Sequence, residues 1–150
     1  MTHKRQEIKE KVVEILRAGL TENVYKNRYL AISKRDFPAI SVYCPDESSN
    51  FNTSRELYER SARVIISGYV LGKDEIELTE TSGDDIDDKL DDLSTKIEEL
   101  FNTQYQNLSG VVFSMELTST QYFVNAEGDE IVGVAIMEYN TVYHDSMVEE

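Results

Sequence analysis

The chain has 150 residues, enough for one domain with a hydrophobic core of its own. Its single cysteine, Cys44, excludes an internal disulfide and is typical of a protein from a reducing compartment. The longest apolar run, Ile131–Met137, is far too short to span a bilayer, and we expect neither a signal peptide nor a membrane helix.

The net charge of −14 is unevenly distributed along the sequence. Residues 1–73 carry 13 Lys and Arg against 9 Asp and Glu, a net charge of +4, whereas residues 74–150 carry 2 against 20, a net charge of −18. A folded chain with this asymmetry can present one basic and one acidic surface. A protein that reads duplex DNA needs a contiguous basic face with few carboxylates nearby, which this composition disfavours.

The first third of the sequence predicts a helix followed by strands. Residues 4–18 place apolar side chains on one helical face, and Gly19 is suited to the C-cap. Residues 21–36 show no clean period and predict a short strand and a connecting loop. Phe37–Tyr43 predicts a strand with Pro38 near its beginning, where proline is tolerated.

Residues 44–53 form a polar segment rich in turn-forming residues, with Phe51 near its middle. Residues 56–70 then alternate between apolar and polar, which predicts a strand. Fully extended, that strand would be roughly 50 Å long, more than a compact domain of this size readily covers. Either a capping box of Thr53 and Glu56 makes its first residues helical, or the hairpin projects as an arm. We favour the arm.

The most strongly patterned stretch is an acidic helix predicted over residues 84–101, about 27 Å long and capped by Ser82 or Gly83. Its apolar residues form one narrow stripe that must lie on the core: Ile86, Leu90, Leu93, Ile97 and Leu100. The other faces carry carboxylates: Asp84, Asp85, Asp87, Asp88, Asp91, Asp92, Glu98 and Glu99.

The last third of the sequence predicts a hairpin. Val111, Phe113, Met115, Leu117 and Phe123 alternate with polar residues, which indicates a half-buried strand with these five on one face. Residues 125–129 predict a turn and 130–143 a central strand, followed by an acidic tail over 144–150 that we expect to be disordered.

The predicted fold is therefore a single α+β domain over residues 1–150, with the element order α-β-β-α-β-β. We expect an antiparallel or mixed sheet of two hairpins, with two helices packed on one face.

The sequence contains no recognisable catalytic or cofactor motif. It lacks GxxxxGK[ST] and GxGxxG, and His3 and His144 have no ligand partner at helical spacing. A calcium loop starting at Asp85 would place Lys89 and Lys96 at ligand positions, so the EF-hand pattern fails. We expect no enzyme activity and no cofactor, although the clustered carboxylates can bind a divalent cation weakly. A hydrolase that uses this aspartate cluster remains a minor alternative.

An ordered set of segments over residues 5–143 resembles a known family. The set comprises the N-terminal helix, a basic segment with Arg28 and Arg35, FPAISVYCPDE at 37–47, ERSARVII at 59–66, the acidic helix with Ile86 and Leu90, and LTSTQYFVNAEGDEIVGVAIMEYNTVY at 117–143. It resembles the tail-terminator family of tailed bacteriophages, the minor tail protein U-like proteins.

The resemblance implies a structural role in the virion tail, with assembly in the host cytoplasm. Such proteins form a ring, usually hexameric, that caps the finished tail tube, stops its growth and offers a surface to the head–tail connector protein. The implied partners are further copies of the chain, the tail tube protein and the connector. DNA passes through the ring without specific binding, and an acidic lumen would repel its phosphates.

Eight residues are candidate contacts of such a ring. Phe51 could anchor the arm on a neighbouring subunit, and three arginines of the arm could meet the acidic helix of the next protomer. The candidates are Phe51, Arg55, Arg60, Arg63, Asp84, Asp85, Asp87 and Asp88.

The alternative function is an acidic secretion-type chaperone, a small α+β dimer that holds an unfolded segment of a partner protein. Chaperones of this type usually end in a third helix, whereas this sequence predicts a strand and a polar tail at its end. A stable dimer would favour the chaperone and a hexameric ring the tail terminator.

Overall fold

The computed structural model describes residues 4–26, 38–52, 57–71, 82–104, 108–112, 114–127 and 130–146. These residues form two helices and a six-stranded mixed sheet, an α+β fold. The elements are α1 Lys4–Gly19, β1 Asn23–Lys26, β2 Ala39–Tyr43, β3 Glu47–Asn52, β4 Leu57–Leu71, α2 Ser82–Glu99, β5 Ser114–Glu127 and β6 Glu130–Ser146. A π-helical turn at Leu100–Gln104 and a short 3-10 helix at Leu108–Gly110 connect α2 to β5.

The sheet is built around β4 and β6, which pair antiparallel along the whole length of β4. The strand order is β1-β2-β4-β6-β5, and β3 pairs with β4 beside β2. β1 runs parallel to β2, and every other pair is antiparallel. The four strands β1 to β4 therefore come from the first half of the chain, whereas β5 and β6 come from the second.

The predicted element order and hairpin arrangement were wrong, because residues 44–53 are not only a turn. Glu47–Asn52 forms β3, which pairs with Leu57–Ala62 of β4. The segment has no apolar alternation because an edge strand is held by backbone hydrogen bonds, helped here by a 2.7 Å contact between the hydroxyls of Ser48 and Ser61.

The strand predicted over residues 56–70 forms as β4, and its first described residues are extended and not helical. β4 begins at Leu57 and pairs along its whole length with β6, which has 17 residues. The long strand therefore belongs to the main sheet and does not form a two-stranded arm. β2 covers only its second half and β3 its first half. Thr53 and Glu56 lie outside the described residues.

The remaining element predictions are confirmed to within a few residues. Both helices form where the apolar spacing placed them, and β2 and the β5–β6 hairpin occupy the predicted segments. The expectation of a disordered tail was wrong for residues 144–146, because β6 continues to Ser146 and pairs there with β4. Residues 147–150 lie outside the described residues. The basic segment with Arg28 and Arg35 also lies outside them.

Both helices lie on one face of the sheet. Alternate residues of β4 and β6 are buried beneath them, among them Val64, Ile66, Met137 and Tyr139. α2 packs on β4, β6 and β5, whereas α1 packs on β1 and β2. The two helices meet at the π-helical turn, where a Cβ on Gly19 would lie 2.8 Å from Leu100 Cδ2.

The contact between α2 and the sheet depends on two glycines. A Cβ built on Gly68 of β4 would lie 2.5 Å from Leu93 Cδ2, and one on Gly133 of β6 would lie 2.9 Å from Ile86 Cγ1. Real Cβ atoms do not approach that closely, so these two positions leave the room into which the helix side chains fit.

Truncation of the apolar stripe should destabilise the fold, and truncation of the acidic face should not. We expect Leu93→Ala, at a side chain 3% exposed, to lower the free energy of unfolding by about 2–5 kcal/mol. Its neighbour Asp92 is exposed, and Asp92→Ala should change it by no more than about 0.5 kcal/mol. Urea unfolding followed by circular dichroism measures both; equal losses would contradict this placement of the helix.

A double-mutant cycle tests the close approach at Gly68. Gly68→Ala reduces the entropy of the unfolded chain, worth about 0.4–1 kcal/mol, but the crowding against Leu93 should outweigh it and cost about 1–3 kcal/mol. In a Leu93→Ala background the added methyl fills vacated space, so the two costs should be less than additive by about 0.5–3 kcal/mol. Strict additivity would show that the two residues do not touch.

Candidate interaction surface

Arg63 lies at the centre of an exposed ion-pair network that joins two strands and the loop before β3. Its Nη2 and Nε donate to the Asp46 carboxylate at 2.7 and 3.0 Å, and its Nη1 donates to Glu138 Oε1 at 3.0 Å. The hydrogen bond from Arg63 holds the pKa of the Asp46 carboxyl below its ordinary value, and the two carboxylates raise the pKa of Arg63. A contact between Arg63 and a second protomer would therefore compete with partners inside the chain.

Arg60 also has a partner within its own chain. Its Nη1 lies 3.9 Å from Glu47 Oε2, across the β3–β4 pair. On the other side, Arg60 stands opposite Tyr143 of β6. Arg60 therefore links β4 to β3, and Arg63 links β4 to β6 and to the loop before β3.

The other candidate residues divide into three groups. Asp87 and Asp88 are exposed on α2, and Asp84 and Asp85 belong to the first turn of that helix. Phe51 lies in β3 opposite Tyr58, close to the connection between β3 and β4, and not in an isolated turn. Arg55 lies outside the described residues.

The sequence interpretation missed an exposed apolar cluster on β5. Tyr122, Phe123 and Val124 are 45%, 51% and 46% exposed. Phe123 was expected on the same face as Met115 and Leu117, and that prediction was wrong. The register shifts between Leu117 and Ser119, a bulge that moves every later residue of β5 to the opposite face.

Register shows which side each of these residues takes. Tyr122 and Val124 stand opposite Ala135 and Gly133, on the face covered by α2, and the Tyr122 hydroxyl lies 3.1 Å from that of Ser94. Phe123 stands opposite Val134 on the other face. The uncharged run over 117–126 was the available signal for this surface, but no alternation rule predicts a bulge within it.

A cleft beside α2 is lined by four charged and four apolar residues. It has a volume of about 320 Å³ and lies between α2 and the ends of β2 and β4. Lys96 Nζ lies 3.5 Å from Glu22 Oε1, and Lys89 Nζ donates to the Leu71 carbonyl at 3.1 Å. Glu22 Oε2 is buried and has no hydrogen-bond partner among the described residues. Each of the two lysines thus makes an ion pair or a contact between helix and strand.

Cys44 does not have the properties of a reactive thiol. The side chain is fully buried, and burial raises its pKa to about 11, so that it stays protonated at neutral pH. Arg5 Nε donates to the Cys44 carbonyl at 2.8 Å, which ties α1 to the end of β2.

Across the seven described ranges, no three His, Cys, Asp or Glu side chains are grouped so that they could hold a metal ion. None of the helices in those ranges is long and apolar enough to cross a membrane. Neither protein-family models nor curated protein sequences contain a match to this chain.

The Arg63 network can be tested through the titration of Asp46. Since the folded pKa of Asp46 is depressed, its contribution to stability is present above the unfolded pKa of about 3.9 and is lost as the pH falls through the folded value. We expect Arg63→Gln to raise the Asp46 pKa back toward about 3.9, as measured by carboxyl carbon NMR. Arg60→Gln is the matched control and should leave it unchanged. An Asp46 pKa that does not respond to Arg63→Gln would contradict the pairing.

Proposed function

We propose that the protein is a phage tail terminator, which assembles into a ring that caps the tail tube, ends its polymerisation and provides the surface for the head connector. Two arguments support this proposal. The stronger observation is the separation of charge across the sheet, and the second is the resemblance of the segments over residues 5–143 to that family.

The strand order turns the asymmetry of the sequence into an asymmetry of the fold. The half of the chain with a net charge of +4 supplies α1 and β1 to β4, and the half with −18 supplies α2, β5 and β6. β1 lies at one end of the strand order and β5 at the other. The two lateral sides of the domain therefore come from halves of opposite net charge.

A closed ring requires heterologous contacts, in which one surface of a protomer meets a different surface of its neighbour. A domain with unlike lateral sides suits such contacts, whereas an isologous dimer places identical surfaces together. Electrostatic complementarity across such a contact favours the correct partner and orientation more than it adds affinity. The charge pattern thus favours a ring over the compact dimer of a secretion chaperone.

The acidic face of α2 also fits a ring through which DNA moves. Asp87, Asp88, Asp91 and Asp92 are exposed on one helix, and like charge repels phosphates at the range of the Debye length, about 8 Å at physiological salt. A conduit for DNA works best when it does not bind the polymer. In this proposal no residue is catalytic, and a divalent cation acts only by screening carboxylates.

The proposed assembly predicts six-fold rings at high protein concentration, with divalent cation, or on tail tubes. Mass photometry and negative-stain microscopy should show hexamers, and added protein should shorten the tail-length distribution in an assembly extract. Compact dimers under every condition would overturn the proposal and favour the chaperone.

A charge variant tests the role of the acidic helix. The variant changes four aspartates of α2 to Asn: Asp84, Asp85, Asp87 and Asp88. Any requirement for Mg²⁺ in ring formation should then disappear. A control changes two exposed carboxylates outside α1 and α2, Glu59 and Glu116, to Gln and should keep the requirement. An equal response of both variants would show that net charge alone, and not the helix, governs assembly.

A further inference from the structure

β5 forms a long edge of the sheet. It has 14 residues, and among the described strands only β6 pairs with it. Such a strand presents a row of backbone donors and acceptors that can pair with another chain. Proteins usually protect an edge with charged residues, proline or a bulge, but the run over 117–126 contains neither charge nor proline. The bulge lies at its beginning, between Leu117 and Ser119.

The exposed apolar side chains of β5 belong to the edge and not to one face of the sheet. Tyr122, Phe123 and Val124 are consecutive, so they alternate between the two faces, yet all three are close to half exposed. α2 reaches the edge through Ser94 but leaves Tyr122 and Val124 largely uncovered. A strand added beside β5 would cover all three side chains at once, because it borders both faces.

The acidic residues of α2 that lie beside the β5 edge restrict which surface can cover it. Ser94 contacts Tyr122, and Asp91 and Glu98 lie three residues before and four after it, on the same side of α2. Asp87 lies one further turn along that side. If two β5 edges met, two such acidic stripes would face each other, which is unfavourable. The edge therefore favours a partner that brings positive charge beside it.

The sheet register shows which strand lies at the opposite edge of the same sheet. The row that contains Tyr122 continues through Ala135, Gly68 and Ile40 to Val24 of β1. The opposite end of the row thus lies in the half of the chain with net charge +4. α1 and β1 together carry six Lys and Arg against three Glu. Arg17 Nη2 donates to the Val24 carbonyl at 3.0 Å, and Lys26, which ends the strand, pairs with Glu10 of α1 at 3.3 Å.

We propose that the β5 edge is the self-association surface of the protein, and that it binds the α1–β1 side of a second copy by strand addition. The inference deepens the proposed function by naming the contact between ring protomers, and it rests on that proposal only for the closure of the contacts into a ring. Backbone hydrogen bonds supply the affinity and the exposed apolar side chains are buried.

A charged residue at the edge should prevent association without affecting the fold. We expect Phe123→Lys to weaken self-association at least about tenfold in sedimentation velocity, since it places a charge at the centre of the contact. Tyr43→Lys is the matched control: Tyr43 is 38% exposed, lies on β2, and undergoes the same change of charge. The control should stay within about twofold of the wild type, and both variants should keep the wild-type circular dichroism and melting temperature.

Two further measurements identify the surfaces directly. Hydrogen exchange of amides 120–124 should slow as the protein concentration rises, whereas those of β2 should not change. A bismaleimide should join a Gln121→Cys copy to an Asn23→Cys copy and neither variant to itself, because the proposed contact never places two identical edges together. The native Cys44 is buried and should not react. Self-cross-linking of Gln121→Cys would overturn the assignment of the partner side. A wild-type chain that remains monomeric at all concentrations and on tubes would overturn the proposal.

The tail-assembly extract separates this inference from the proposed function. If Phe123→Lys abolishes self-association and the wild-type ring does not cap tubes, the surface stands and the tail function is wrong. If Phe123→Lys still forms rings and caps tubes like the wild type, the function stands and the surface is wrong.

Discussion

The close approach of α2 to the centre of the sheet is the constraint on which the rest of the fold depends. The helix stripe requires small residues beneath it, and the pairing of β4 with β6 supplies them: Gly68 stands opposite Ala135, and Gly133 opposite Val70. A slip of one residue would turn larger side chains toward the helix and turn the buried row to solvent. β2 pairs with β4, and β5 pairs with β6. The position of α2 on the two central strands therefore also constrains the register of β2 and β5.

Sequence reasoning succeeded where a local period carries the information. The 4-3-4-3 spacing of α2 and the alternation of β4 reflect burial on one face, and the structure buries those residues. β3 was missed because an edge strand held by its backbone needs no apolar alternation, and Glu47–Asn52 has none. The parallel pairing of β1 with β2 has no local signature at all.

The candidate surface shows the same limit more sharply. Phe123 follows the odd-numbered alternation of Met115, yet a single extra residue in the bulge moves it to the other face. Arg63 was predicted to be available to a neighbour, and its pairing with Glu138, 75 residues away, depends on the juxtaposition of β4 and β6. Exposure and ion pairing are properties of strand register, which composition and spacing do not encode.

Charge and edge chemistry act at different ranges, and together they account for a strand whose run over 117–126 carries no charge in so acidic a chain. Each copy carries −14, so copies repel one another at long range, and the acidic stripe of α2 lies beside the edge of β5. Edge protection is therefore supplied by the neighbouring helix and not by β5 itself. Pairing between two identical edges is disfavoured, while a side from the +4 half of the chain meets no such penalty. In the proposed contact the acidic helix selects the partner and the uncharged run of β5 binds it, which is the division of roles that a directional assembly of identical subunits requires.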